Sequence, residues 1–141
     1  MPDAVLLDTC AVIWLARGIF PERELPIIVH AGLQGGIFIS PISAWEVGLI
    51  AHPRSGRLPK LQFLPDPKGW FANVMAGPGI KPAAFTPDIA IDASSLPGEL
   101  HGDPGDRILI ATARNTRLPI VTRDEKIIAY GAAGHVQVIA C

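Results

Sequence analysis

Residues 4–18 read AVLLDTCAVIWLARG. Ala4–Leu7 is an unbroken apolar run of strand length, the pattern of a strand buried on both faces. It stops at Asp8. Residues 10–18, CAVIWLARG, then suit a helix, with Gly18 placed to cap it in the left-handed conformation. A strand that ends on an acid and passes at once into a helix is how a parallel α/β sheet begins.

The alternation continues to the end of the chain. PERELPIIVHAGLQGG (21–36) reads as a helical segment halted by Gly35 and Gly36, with Pro26 forcing a kink or a restart. IFIS (37–40) is a second strand, and PISAWEVGLIAH (41–52) a helix with Ile42, Trp45, Leu49 and Ile50 near helical spacing. Residues 53–82 are rich in proline and glycine. They also carry Leu58, Leu61, Phe63, Leu64, Trp70 and Phe71, too apolar for a disordered spacer. Short helices and loops on one side of the domain are expected there, one of them around KGWFANVMAG (68–77). AAF (83–85) reads as a minor strand, and Thr86 caps a helix with Pro87 at its first position. A helix from Pro104 to about Asn115 precedes the strand PIVT (119–122), a short helix DEKIIAYG and a last strand VQVIA (136–140). The expected architecture is a single domain over residues 1–141, a three-layer α/β/α sandwich with a central, mostly parallel sheet.

The chain of 141 residues is 49% hydrophobic, enough to bury a sizeable core in one domain. Its formal charge of −1 supplies no global basic field, so a nucleic-acid partner would need a local patch or a metal. Cys10 and Cys141 follow no redox or zinc spacing, which suits a reduced intracellular protein. The N-terminal stretch has no basic leader and Asp8 breaks its apolar run, so it reads neither as a signal peptide nor as a membrane span. The expected compartment is the cytoplasm, with no membrane partner.

The placing of the acids carries the chemistry. Asp8 ends the first strand, Asp124 follows PIVT, Glu46 lies early in the helix after IFIS, and Asp103 and Asp106 open the helix before PIVT. Ligands of open parallel sheets bind outside the carboxyl ends of the strands. Asp8, Glu46 and Asp124 should reach one such edge, and a helix N-terminus there would add Asp106. Two carboxylates 4 Å apart repel by roughly 4 kcal/mol at an effective dielectric near 20. A helix N-terminus returns only about 0.3–1 kcal/mol for each. Such a group therefore takes up protons or holds a cation, and all-oxygen donors favour Mg²⁺ or Mn²⁺ over Zn²⁺. Each acid also has a plainer reading. Asp103-Pro104-Gly105-Asp106 is a helix start. Glu46 closes a capping box with Ser43, unless Ser40 caps with Pro41 at the first position and frees Glu46. Asp8 and Asp124 could simply end strands.

VLLDT (5–9), SAWE (43–46), DPGDRILIATA (103–113) and LPIVTRDEKI (118–127), in that order, resemble the PIN-domain family, and more narrowly the VapC-type toxins of bacterial toxin–antitoxin pairs. The resemblance implies a metal-dependent endoribonuclease that leaves a 5′-phosphate and a 3′-hydroxyl. It implies that Asp8, Glu46, Asp106 and Asp124 are the catalytic, metal-holding acids, with Mg²⁺ or Mn²⁺ as cofactor. Thr9 and Thr122 match the flanking hydroxyl residues. Asp103 matches the first acid of the D-P-x-D element, as helix cap or as ligand, and Arg107 the following arginine, expected to support the acids by ion pairing. The implied partners are an RNA substrate, a VapB-type antitoxin and a second copy of the chain, in a homodimer and a toxin–antitoxin hetero-oligomer. Cys10 departs from the family pattern.

Two rivals stand beside this. A phosphoacceptor receiver domain also gathers acids around Mg²⁺, but expects an acidic pair near the first strand and a lysine after a later one. Here Arg123-Asp124 follows PIVT. The other rival is an inactive PIN scaffold that only binds a partner. Among other residues, His101 reads as a solvated loop residue and Cys10 as a thiol packed under the first helix. Trp14 and Trp45 read as core or interface, and Arg54, Arg57 and Lys60 beside Phe63 as either an RNA contact or a solvated loop.

Overall fold

The computed structural model describes residues 1–141. Its five strands are β1 (Val5–Leu7), β2 (Ile37–Ile39), β3 (Ile80–Pro82), β4 (Ile120–Thr122) and β5 (Val138–Ala140). Every neighbouring pair is parallel, in the order β3-β2-β1-β4-β5. The seven helices are α1 (Thr9–Arg17), α2 (Leu25–Leu33), α3 (Pro41–Ala51), α4 (Pro67–Met75), α5 (Pro87–Ser94), α6 (Pro104–Thr116) and α7 (Glu125–Ala132).

β1 sits at the centre because its three residues have no polar face to show, and all are fully buried. Successive side chains of a strand point to opposite faces. Val5 and Leu7 pack with Ile37, Ile39 and Val121 against α1 and α2. Leu6 and Ile120 pack on the other side against Leu109, Ile110 and Ala113 of α6 and Ile127 and Tyr130 of α7. α5 lies outside α6, with Ile89 and Ala93 against Ala111. The result is the expected three-layer sandwich.

Strand order distinguishes the rivals. In receiver-type sheets the first strand lies between the second and the third. Here β1 lies between β2 and β4, which counts against that alternative. The chain runs outward to one edge through β2 and β3, then returns to the other side of β1 for β4 and β5. The carboxyl ends of β1 and β4 thus flank the switch point where ligands of such sheets bind.

Three local expectations are refined. The minor strand is Ile80–Pro82, ending just before AAF. β3 is an edge strand, where proline is tolerated, and Ala83 still donates its N–H to the Ile39 carbonyl at 2.9 Å. Pro26 imposes a restart, so α2 begins at Leu25 after a turn instead of at Pro21. Gly36 is required by a close approach: a Cβ there would lie 2.0 Å from the Asp3 carbonyl oxygen.

Candidate active site

The acids converge because the ends of the strands do. Asp8 follows β1 directly and caps α1, one carboxylate oxygen accepting from the Thr9 N–H at 2.7 Å. Its other oxygen, Oδ2, accepts from the Thr122 hydroxyl at 2.6 Å. Thr122 closes β4, which pairs with β1, so sheet register alone sets this contact. Two residues on, Asp124 donates its N–H to Thr122 Oγ1 at 3.0 Å. Its carboxylate caps α7 by accepting from Lys126 N at 2.8 Å.

The two readings of the Ser40–Glu46 stretch are resolved. Ser40 is the cap, accepting from Ile42 N at 3.1 Å with Pro41 at the first position. Ser43 is therefore inside the helix, fully buried, with its hydroxyl 2.9 Å from Thr9 Oγ1. Thr9 Oγ1 also lies 2.8 Å from Glu46 Oε1. An ionised carboxylate only accepts, so Thr9 donates to Glu46 and takes its own hydrogen bond from Ser43. Glu46 then rests on the first turn of α6 at Gly105. A Cβ at Gly105 would stand 2.9 Å from the Glu46 carboxyl carbon, so the bare α-carbon makes the room.

Asp103 caps α6 by accepting from Asp106 N at 3.0 Å. It also offers an oxygen to a cluster with Glu46 and Asp106 in which all three donor atoms lie within 4.8 Å of one another. Cap and cluster member are one position. Asp8 and Asp124 lie beyond that tightest group but line the same cleft, whose volume is about 1070 Å³.

Burial acts on these acids as expected of crowded carboxylates. It pushes Glu46 up to about 7, against the lowering hydrogen bond from Thr9, with Asp8, Asp106 and Asp103 adding repulsion. Burial also pushes Asp106 up to about 6, with Asp103, Asp8 and Asp124 adding repulsion. Asp8 is raised for the same first reason, while the Thr122 and Thr9 hydrogen bonds pull the other way. Sulfur contributes little: the Cys10 thiol, 3.8 Å from Asp8 Oδ2, is pushed up to about 12 by burial and by Asp8. The donor set is thus carboxylate oxygen, none of it ion-paired with an arginine or a lysine. It fits a hard divalent cation of the Mg²⁺ or Mn²⁺ kind.

Two sequence readings need correction. Arg107 forms no ion pair with the acids. Its guanidinium turns to backbone carbonyls instead, with Nε donating to Ala93 at 2.8 Å and NH1 to His101 at 3.4 Å. It therefore ties α5 and the preceding loop to α6. His101 is no solvated loop residue: its Nε2 lies 2.7 Å from Asp106 Oδ2 in a largely buried pair.

The model of the PIN domain family matches residues 5–133. The chain belongs to the PIN-domain family. Among curated relatives, ribonuclease VapC22 of Mycobacterium tuberculosis (strain ATCC 25618 / H37Rv) is 25% identical over 125 residues, covering 87% of this chain and 88% of that protein. VapBC2 from Rickettsia felis, solved bound to a DNA fragment from their promoter, superposes with a TM-score of 0.65 at 12% identity. It covers 97% of this chain and 98% of the other. A toxin–antitoxin complex from Klebsiella pneumoniae gives 0.62 at 24% identity, covering 97% of each chain. At these identities the likeness to solved structures is one of fold.

Within this PIN domain, one wall of the cleft escaped the sequence reading. Arg17, Arg123 and Lys126 line it, and the Arg123 guanidinium sits 5.2 Å over the Trp14 ring. Trp14 meets Phe20 edge-on, so it is half core and half cleft wall. Trp45 is not core, being 48% exposed on α3. Phe63 is not available for stacking, because it is buried against Ile13 and Val47. Arg123 and Lys126 flank Asp124 at the start of α7 while Arg17 closes α1, so only the fold brings the third to the other two. No helix is long and apolar enough to cross a membrane.

Proposed function

We propose that this PIN domain is a Mg²⁺- or Mn²⁺-dependent endoribonuclease of the VapC toxin type. The observation that carries the reading is the cluster of Glu46, Asp103 and Asp106 oxygens at the switch-point edge, with Asp8 and Asp124 in the same cleft. Asp8, Glu46, Asp106 and Asp124 hold the cation, and Asp103 shares in holding it while it starts α6. When bound, such a cation lowers the pKa of a water and stabilises charge on the leaving oxygen of a phosphodiester.

The chain's own residues set the stage for that chemistry. Thr122 and the Thr9 backbone fix both oxygens of Asp8, and the Ser43–Thr9 relay fixes Glu46. These acids are therefore oriented before any ligand arrives. Arg17, Arg123 and Lys126 supply the positive wall that a polyphosphate strand needs, although the whole chain carries a formal charge of −1. Hydrolysis would leave a 5′-phosphate and a 3′-hydroxyl.

By the same family relation, the partners are a VapB-type antitoxin that covers the acidic cleft and a second copy of the chain, acting in the cytoplasm. RNA cleavage in Mg²⁺ or Mn²⁺ tests the enzyme. Asp8→Asn and Asp106→Asn, each correctly folded, are expected to lose at least 100-fold in rate, as groups orienting the reacting centre do. Equal rates for wild type and both variants would defeat the reading. An inactive scaffold predicts no cleavage and no cation binding by wild type.

A further inference from the structure

His101 lies in the loop that leads into α6, at the rim of the acidic cleft. Its Nε2 approaches Asp106 Oδ2 at 2.7 Å, with the two side chains 19% and 13% exposed. Its Nδ1 is buried and has no hydrogen-bond partner. A carboxylate can only accept, so Nε2 bears the hydrogen and donates it. An N–H at Nδ1 would be orphaned in the same place, which favours the tautomer with Nδ1 bare.

The imidazole is also anchored through its backbone. Arg107, the neighbour of Asp106 on α6, donates NH1 to the carbonyls of Leu100 at 3.5 Å and His101 at 3.4 Å. Its Nε donates to Ala93, the penultimate residue of α5. Consecutive residues of one helical turn thus hold His101 at both ends, Asp106 by the ring and Arg107 by the main chain. With Oδ2 held by the imidazole, the other oxygen of Asp106 remains for a cation shared with Glu46 and Asp103. Carboxylates that hold metals are commonly steered by such outer partners, and losing the partner costs about 10–100-fold in affinity or activity.

We propose that His101 is the positioning residue of this site: its Nε2–H fixes the Asp106 carboxylate in a one-oxygen orientation toward the cation, and Arg107 holds it there. The proposal rests on the metallonuclease reading above. It explains the arginine's position after the acid, since Arg107 steadies the loop that steadies Asp106 and never touches the acids itself.

The test uses the full chain with His101→Phe, His101→Ala and His101→Gln, and Asp106→Asn as reference. Mn²⁺ binding is read without RNA by the loss of the free-ion paramagnetic resonance signal. The Mn²⁺ concentration for half-maximal RNA cleavage is read alongside it. Phenylalanine and alanine should weaken Mn²⁺ binding about 10–100-fold and raise the half-maximal Mn²⁺ by the same factor, with most of the rate restored at saturation. Glutamine, whose amide can donate from nearly the Nε2 position, should stay within about 5-fold of wild type. A purely structural histidine would instead lower the melting temperature and leave the Mn²⁺ affinity of the folded protein unchanged. Wild-type affinity in folded His101→Phe and His101→Ala overturns the proposal alone. Mn²⁺ binding by wild type without RNA cleavage overturns the nuclease reading and leaves the His101 result standing on the binding data. No Mn²⁺ binding by wild type overturns both.

Discussion

The Thr122 hydroxyl donates to Asp8 Oδ2 at 2.6 Å across 114 residues of chain, and it also accepts the Asp124 N–H at 3.0 Å. One buried side chain thus links the acid after β1 to the acid after β4. A hydrogen bond to a charged group is worth about 1.5–3 kcal/mol. Thr122→Val keeps the shape and removes both links. Its cleavage rate should fall roughly 10–100-fold at pH 7, since 1.4 kcal/mol is a factor of about ten. Thr122→Ser should stay within about 5-fold. A Thr122→Val enzyme as fast as wild type would mean that sheet register alone orients Asp8.

Gly105 makes a second prediction. An alanine Cβ there would stand 2.9 Å from the Glu46 carboxyl carbon and 3.1 Å from each of its oxygens. The helix should tolerate the change, since alanine is the better helix former by about 1 kcal/mol. The flexible Glu46 carboxylate gives way by a few tenths of an ångström and strains its bond to Thr9. Gly105→Ala should therefore melt no lower than wild type yet cleave about 10-fold more slowly, because misplacing a positioning group by about 1 Å can cost 100-fold. Unchanged cleavage would show that Glu46 can shift without loss.

Much of this site was legible before folding. The strand-then-acid pattern at Asp8, the order of the acids and the Pro-containing start of α6 are local features, so the three-layer architecture and the converging edge follow from them. The rest depends on contacts between distant segments. His101 looked like loop because nothing near it reveals that Arg107 pins its backbone. Arg107 looked like an ion-pair partner because its distance to the Ala93 carbonyl is set by how α5 packs on α6. Phe63 stands beside basic residues in the sequence, and only the approach of α1 and α3 makes it core. The choice between Ser40 and Ser43 as cap was open in sequence because both offered sound capping chemistry. The sheet decides it, by bringing Thr9 to Ser43.

The crowded acids make the cation-free protein sensitive to pH in an unusual sense. Glu46 rises from 4.5 to about 7 and Asp106 from 3.8 to about 6 on folding. Between those values the folded chain binds more protons than the unfolded one, so stability falls as pH rises. The stability tied to these protons is complete below about pH 4 and is gone above about pH 7. In chelator the melting temperature should drop by roughly 3–8 °C between pH 5 and pH 8, given about 2–4 °C per kcal/mol for a domain of this size. Glu46→Gln should flatten part of that slope and melt higher than wild type at pH 8. Saturating Mg²⁺ at pH 8 should recover the loss by binding the folded state alone. A melting temperature that rises toward pH 8 in chelator would show that these carboxyls are ordinary.

The basic wall makes the last prediction. Arg123 and Lys126 lie beside Asp124 yet are exposed, and Arg123 is laid over Trp14 at 5.2 Å. That stacking holds the guanidinium over the cleft, where it can meet a phosphate or a base face without touching the reacting centre. Interactions of this kind bind ground state and transition state alike. Arg123→Ala should therefore raise KM for a single-stranded RNA about 5–20-fold and leave kcat nearly unchanged. The dependence of affinity on salt should become shallower by about 0.7 in log–log slope for each phosphate that is no longer neutralised. Trp14→Leu should reproduce part of the KM effect by freeing the arginine, and Arg123→Lys should recover the salt slope but not the full affinity, since a lysine cannot stack as a plane. A fall in kcat at unchanged KM would move Arg123 from the binding wall to the reacting centre.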